Sequence, residues 1–295
     1  MIETTLNEYF SSASKSGFNT FHGDGNYFWI KHEKMSLVRF PEFDTSKPSK
    51  EEIKRVFKES KSLIIGYTIK PENTISANST LYNCYQNKYD VNNLSKNVRR
   101  DIRIAQRNLT IDFANWDDII KSGLIAFADT RSRVGLSDGD KKNFISRFSH
   151  LSNIPGNKAI AAWFGEEIAA FMNLIVLDKF VIIQGSFSTN GHKKYCPNNG
   201  LADFVLNYFL IEKNFDVVCY GLSSIQEDTG SNSLHQYKVR IGFEAIPVRR
   251  IFLLNPKFKS FKGIFKLSLQ LLIKILPRNR GIRKASGLFN YLNDY

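Results

Sequence analysis

Apolar and polar residues alternate in short runs through the first ninety residues. NYFWIKH and MSLVRF read as paired strands, and SLIIGYTI and STLYNCYQ as two more, because period-two alternation with β-branched and aromatic content suits a half-buried pleat. Between these pairs, SKEEIKRVFKES changes to helical spacing, with Ile53, Val56 and Phe57 on one face and a capping-box signature at Ser49 and Glu52. LSKNVRRDIRIAQRN (94–108) is a divided helix. Leu94, Val98, Ile102, Ala105 and Leu109 line one face, and Lys96, Arg99, Arg100, Arg103 and Arg107 another. Two helices are expected next, in NWDDIIKSGLIAFADTRSR and in SDGDKKNFISRFSHL, the latter opened by Ser137 with Asp140 at the capping-box position. KAIAAWFGEEIAAFMNLIVLDKFVIIQGSFST reads as an antiparallel meander of three strands that turns at Gly165-Glu166 and Leu177-Asp178-Lys179. A helix (NNGLADFVLNYFLIEKNF), a buried strand (DVVCYGLS), a helix (TGSNSLHQYKVRI) and a last strand (GFEAIPVRRIFLL) complete the ordered pattern.

Composition narrows the class. The 295 residues suffice for two small domains or for one domain of two halves, and 23% charged residues is ordinary for a globular chain. The net charge of +13 is concentrated: nine Lys or Arg and no acid lie between Lys257 and Lys284, which leaves +4 for the rest. The basicity therefore belongs to the tail, and DNA is not an expected partner. Three cysteines without CxxC spacing suit a reducing compartment. The start has no basic and apolar leader pattern, and no run of about 18 uncharged apolar residues occurs, so a cytoplasmic protein is expected. The five His are scattered and no metal site is expected.

In HKKYCPNNGLADFVLNYF (192–209), a glycine-containing loop enters a helix, whose unpaired N–H groups and positive dipole end suit an anion. His192, Lys193 and Lys194 add charge there. An ordinary loop remains the alternative. In HQYKVRIGF (235–243), Lys238 and Arg240 lie where the helix gives way to the strand. Both are open to reading as solvated cations beside the C-terminal dipole, or as groups that meet an anionic substrate.

The order helix, helix, three antiparallel strands, helix, strand, helix, strand resembles the acyltransferase fold shared by GCN5-related N-acetyltransferases and FemAB-like aminoacyltransferases. Pro197-Asn198-Asn199-Gly200-Leu201-Ala202 resembles the Q/R-x-x-G-x-G/A junction that holds the acyl-CoA pyrophosphate in the GCN5-related family, with Pro197 in place of Gln or Arg. A proline-containing junction is similar to the FemAB-like branch. Tyr237-Lys238-Val239-Arg240-Ile241-Gly242 resembles the FemAB-like F-K-x-x-F-G pattern, and the basic helix at 94–108 resembles one lying between the halves of those proteins.

The resemblance implies a mixed α/β fold with an antiparallel meander in a central sheet flanked by helices, in two unequal halves. The expected divisions are a smaller half at 1–93, a main acyltransferase domain at 94–256 and a basic tail at 257–295. It also implies acyl transfer, with acetyl-CoA as co-substrate, to an amino group of a nucleotide- or lipid-linked sugar. The alternatives are an aminoacyl-tRNA-dependent transferase, the one case with tRNA as partner, and a non-catalytic membrane-surface protein. Lys238, Tyr237 and His235 are the candidate catalytic residues. Gln184, Ser186 and residues 197–202 are the candidate donor-binding set, although Gln184 and Ser186 also suit an outward-facing pair on a half-exposed strand. Arg99, Arg100 and Arg103 would meet acceptor phosphates, although a solvated helix face has the same pattern. Asp203 just inside the helix suits the N-terminal dipole.

The tail KFKSFKGIFKLSLQLLIKIL places Lys259, Lys262, Lys266 and Lys274 on one helical stripe and Phe258, Phe261, Phe265, Leu269, Leu272 and Leu276 on the opposite one. That division suits peripheral binding to an anionic membrane, or packing on the protein's own core with lysine stems laid along it.

Overall fold

The computed structural model describes residues 4–33, 35–73, 76–136, 140–223 and 229–261, and eight scattered positions between 263 and 293. The chain forms two units that interleave along the sequence. One comprises 1–12, 82–221 and 233–245; the other 13–81, 222–232 and 246–295. The cut expected at 93/94 does not coincide with their ends. Residues 82–93 belong to the first unit, and most of the last strand, from Ile246 on, belongs with 13–81.

The second unit is a sheet in the order β1 (Thr20–His22), β2 (Phe28–Glu33), β3 (Ser36–Phe40), β4 (Ile64–Ile69) and β11 (Glu244–Leu254). Only β3 and β4 in this series are parallel, and the helix α2 (Lys50–Ser60) connects them. Ser49 caps α2 by accepting from the Glu52 backbone N–H. Glu52 itself is buried and accepts from Tyr27 Oη at 2.6 Å and Trp29 Nε1 at 2.7 Å, so the capping-box carboxylate ties helix to sheet. Ile53, Val56 and Phe57 pack on Trp29, Leu37 and Ile65.

The first unit carries every residue proposed for catalysis or donor binding. Its sheet runs β5 (Ser79–Tyr85), β10 (Val217–Leu222), β9 (Phe180–Ser188), β8 (Glu167–Leu177), β7 (Asn157–Phe164) and β6 (Thr110–Ala114). The meander β7–β8–β9 is antiparallel and β10 lies parallel to β9. Helix α3 (Lys96–Asn108) and helix α7 (Pro197–Leu206) cover one face, burying Val98, Ile102, Ala105, Leu201, Val205 and Phe209 against Met172 and Leu174. The other face is covered by α4 (Trp116–Ser122), α5 (Leu124–Arg133) and α6 (Lys141–Ser152), which bury Ile119, Phe127, Phe144 and Phe148 against Phe171 and Phe187. Covered on both faces, β8 reads as an apolar run from Ile168 to Leu177 interrupted only by Asn173.

Three local expectations change. The stretch 115–133 is two helices, because Gly123 ends α4 and begins α5. Helix α6 is capped by Asp140, whose side chain accepts from the Asn143 N–H at 2.7 Å; Ser137 lies outside the described residues. The helix from Pro197 continues beyond Leu206 as a π-helix, Asn207–Glu212. Helix α8 (Thr229–Arg240) precedes β11 as expected. In the tail, Pro256–Phe261 forms a 3-10 turn, and nine of the twenty residues of the expected amphipathic helix, 257–276, lie outside the described residues. Among the described residues no helix is long and apolar enough to cross a membrane.

Candidate functional site

Strands β9 and β10 pair from Phe180 with Val217 to Ile182 with Cys219, and then part. β9 also carries a bulge at this level. Asn173 of β8 faces Gly185 while Leu174 faces Ile183, so Gln184 is the extra residue. Asn173 Nδ2 donates to Gln184 Oε1 at 3.0 Å, and the Asn173 Oδ1 is buried without a partner among the described residues. A Cβ on Gly185 would lie 2.6 Å from that oxygen, so only glycine fits opposite it.

Beyond the bulge, Ser186 and Ser188 reach the first turn of α7. Ser186 Oγ donates to Asn198 Oδ1 at 3.3 Å and Asn198 Nδ2 donates to Ser188 Oγ at 3.2 Å. Arg133 of α5 clamps the same strand end, donating to the Ser188 carbonyl and hydroxyl, each at 2.9 Å.

Helix α8 faces this opening. Tyr237 Oη donates to the Asn198 carbonyl at 2.9 Å. Lys238, 4% exposed, donates from Nζ to the Tyr220 carbonyl at 2.7 Å, immediately after the last β10 residue paired with β9. The ammonium lies over the rings of Tyr82, at 4.2 Å, and Tyr220, at 4.7 Å. Two aromatic faces and a carbonyl hold the positive charge away from bulk water. His235, one turn earlier, meets Tyr82 Oη through Nδ1 at 2.8 Å. Tyr82 therefore fixes both His235 and Lys238. The solvated-end reading fails for Lys238, which is buried, and fits Arg240, which is exposed.

Burial pushes the Tyr237 hydroxyl well above its usual range, and pushes Tyr220 up to about 12 against a hydrogen bond with Ser186. Burial also raises Tyr82. These phenols stay neutral near pH 7, and Tyr82 accepts from His235 in the tautomer that carries its proton on Nδ1, which leaves Nε2 free of a proton. The Tyr237 proton is engaged by the Asn198 carbonyl, which makes this residue a strut between α8 and α7.

The donor-loop assignment changes inside α7. Cys196, with φ 53°, turns the chain, and Pro197 begins the helix without an N–H. The Asn199 and Gly200 N–H groups both donate back to the Cys196 carbonyl, at 3.0 and 3.3 Å. Gly200 is buried within the helix, where a Cβ would lie 2.6 Å from both Ala105 Cβ and Ile111 Cδ1. Its missing side chain lets α3 approach α7. Leu201 and Ala202 are core residues. Among residues 197–202, Asn198 is the one whose side chain reaches β9, through Ser186 and Ser188.

The basic helix α3 meets this same loop. Asp101 accepts from Arg100 Nη2 at 3.1 Å and from Asn199 Nδ2 at 3.4 Å, which places exposed Arg100 beside the start of α7. Arg99 is half-buried, and Arg103 is exposed one turn on, its Nε donating to the Arg99 carbonyl. Asp203 faces inward. It accepts from Tyr89 at 2.6 Å, Asn207 at 3.1 Å and Gln106 at 3.2 Å, and burial raises its pKa against those bonds. Its role is to join helices, which displaces the dipole reading.

Sequence reasoning missed Tyr82, Asn173, Ser188, Tyr220 and Arg133. A signal existed for Ser188, because Gln184, Ser186 and Ser188 alternate as polar residues in an apolar strand. None existed for Tyr82, which is separated from His235 by 153 positions.

No protein-family model matches the chain, and no curated protein sequence does. Solved structures do match. FemX superposes with a TM-score of 0.58 at 11% identity, over 87% of this chain and 93% of its own. The C-terminal DUF2156 domain of a lysylphosphatidylglycerol synthetase from Agrobacterium fabrum gives 0.54 at 11% identity, over 82% and 86%. L-PGS from Bacillus licheniformis gives 0.50 at 13% identity, over 83% and 91%. The parted β9–β10 pair and the helices around it thus belong to a GNAT-like fold related to that of FemAB proteins.

Proposed function

We propose that the protein is an acyltransferase that moves an acyl group from an activated ester onto the amino group of a nucleotide- or lipid-linked sugar. The observation that carries this reading is the buried Lys238 ammonium beside the gap between β9 and β10. Attack by a neutral amine on a carbonyl held in that gap develops an oxyanion, and a fixed cation with oriented hydroxyl donors stabilises it. Lys238 supplies the charge, and the Ser186 and Tyr220 hydroxyls, bonded at rest to Asn198 and to each other, line the β9 and β10 sides. His235, held by Tyr82, is the group placed to take the proton from the attacking amine.

Acetyl-CoA is the first donor to consider. A specific observation favours the second, an aminoacyl ester carried on tRNA. Pro197 lacks an N–H, and the Asn199 and Gly200 N–H groups are turned onto the Cys196 carbonyl, which leaves the Asn198 N–H as the one in this first turn outside those bonds. FemX and the lysylphosphatidylglycerol synthetases share the fold, which suits this second reading. Titration calorimetry with acetyl-CoA, alongside transfer assays with charged tRNA, decides between them. Binding of acetyl-CoA in the micromolar range with turnover onto an amino sugar supports the first. Turnover restricted to charged tRNA supports the second. Failure of both donors sinks the enzymatic reading.

An acceptor carried in a bilayer fits the tail. Phe258, Leu271, Leu272 and Ile275 are exposed apolar residues in a segment with nine cations. Each basic residue near an anionic surface contributes about 1 kcal/mol. Replacing Lys259, Lys262, Lys266 and Lys274 together by Glu is expected to abolish co-sedimentation with phosphatidylglycerol vesicles. Retained vesicle binding in this variant would remove the tail from the reading.

A further inference from the structure

Three rings stack beside the entrance to α7. Phe164 ends β7 at the tip of the β7–β8 hairpin, and Tyr195 ends the 3-10 turn Lys193–Tyr195 that leads into α7. Their rings lie 4.8 Å apart and within 12° of parallel. The His192 ring adds contacts at 5.2 Å to Phe164 and 6.1 Å to Tyr195. His192 is held by Thr189 Oγ1 at 2.9 Å and Glu167 at 3.5 Å, so the stack is fixed from behind.

Phe164 remains 40% exposed. A large aromatic left open on a rigid hairpin tip, flanked by cations, is the arrangement by which proteins receive a nucleobase next to its phosphate. The cations are present. Lys193 and Lys194 are exposed on the turn itself, the Lys194 ammonium lies 5.0 Å from the Tyr195 ring, and Arg100 donates to Asp101, which also accepts from Asn199 at the start of α7. Asn198, which is bonded to both β9 and Tyr237, lies three positions after Tyr195. The Cα atoms of Tyr195 and Asn198 are thus at most about 11 Å apart.

We propose that Phe164, His192 and Tyr195 form a stacking platform for the base of the donor, an adenine nucleotide whose phosphate meets Lys193, Lys194 and Arg100. The proposal rests on the acyltransferase reading for the word donor, but its geometry is independent of which ester reacts. CoA and the 3′ end of tRNA both carry adenosine with adjoining phosphate, so this chemistry is common to the two donors.

The test uses the full chain and two probes: adenosine 3′,5′-bisphosphate, for the CoA end, and an uncharged RNA hairpin ending in CCA, for the tRNA end. Wild-type protein is expected to bind one of them, and Phe164→Ala to weaken that binding about tenfold. Phe164→Trp is expected to restore it, because any large π-face serves. Phe164 is exposed, so its loss leaves the fold intact, as a thermal melt will verify. Equal affinity of wild type and Phe164→Ala overturns the platform, as does failure of wild type to bind either probe. Acyl transfer measured in parallel with the complete donors separates the two ideas. Turnover with an idle platform sinks the platform alone, and probe binding lost in Phe164→Ala without any turnover sinks the enzyme alone.

Discussion

Replacing Lys238 by methionine is expected to lower kcat about 100- to 1000-fold, the range lost when a donor to a developing oxyanion is removed. Methionine is chosen for its length. It keeps the space between the Tyr82 and Tyr220 rings filled and removes only the charge. The Tyr220 carbonyl loses its Nζ donor, which costs about 1–3 kcal/mol and lowers Tm by a few degrees. Two readouts separate chemistry from architecture. If Lys238 acts on the transition state, kcat falls while KM and the circular dichroism spectrum stay close to wild type. If it only props the end of β10, KM and Tm move together and kcat changes only a few-fold. Lys238→Arg retains the charge on a bulkier head, so it should recover part of kcat under the first account. A kcat within a few-fold of wild type for Lys238→Met, with a normal melt, would remove Lys238 from the reaction.

What was legible in the sequence followed from local rules. The meander, α3, α8 and β11 were readable because each carries its own periodicity, and the Ser49 cap because its partner is three residues away. Lys238 was legible as a candidate because it sits in a short pattern, but its burial was not. That burial depends on Tyr82 and Tyr220, which come from two other strands. The bulge at Gln184 was equally hidden: a register shift changes nothing in an apolar–polar alternation until the partner strand is known. The interleaving of the two units escaped notice for a related reason. GFEAIPVRRIFLL announces a strand without announcing that Arg249–Leu254 pair with β4. Gly200 was the most ambiguous position. A glycine near a helix start has two uses, close approach of an anion to the backbone and close approach of another helix, and a single sequence looks the same for both.

Gly200→Ala settles which use applies, and a fall in Tm is the expected result. The added Cβ would lie 2.6 Å from Ala105 Cβ and 2.6 Å from Ile111 Cδ1. The isoleucine tip can rotate away. Ala105 Cβ cannot, because it is attached directly to the α3 backbone, so α3 itself must shift. Overpacking of this kind costs about 1–3 kcal/mol, against which alanine regains about 1 kcal/mol of helix propensity. The net loss for Gly200→Ala is about 1 kcal/mol, or roughly 3 °C in Tm for a chain of this size. Gly200→Val adds two methyl groups at the same contact and forfeits most of the propensity gain, so it should cost about 3 kcal/mol or more and yield little folded protein at 37 °C. The cause is testable through its partner. Ala105→Gly removes the atom that clashes, so the double variant Ala105→Gly/Gly200→Ala should melt above the sum of the single changes, a coupling of about 1 kcal/mol. The Asn199–Asp101 bond crosses the same helix pair, so a shifted α3 also carries Arg100 away from the start of α7. Donor KM should then rise in step with the loss of Tm, and the double variant should lower both. A Gly200→Ala protein with unchanged Tm and a raised donor KM would reverse the assignment and return Gly200 to the donor loop.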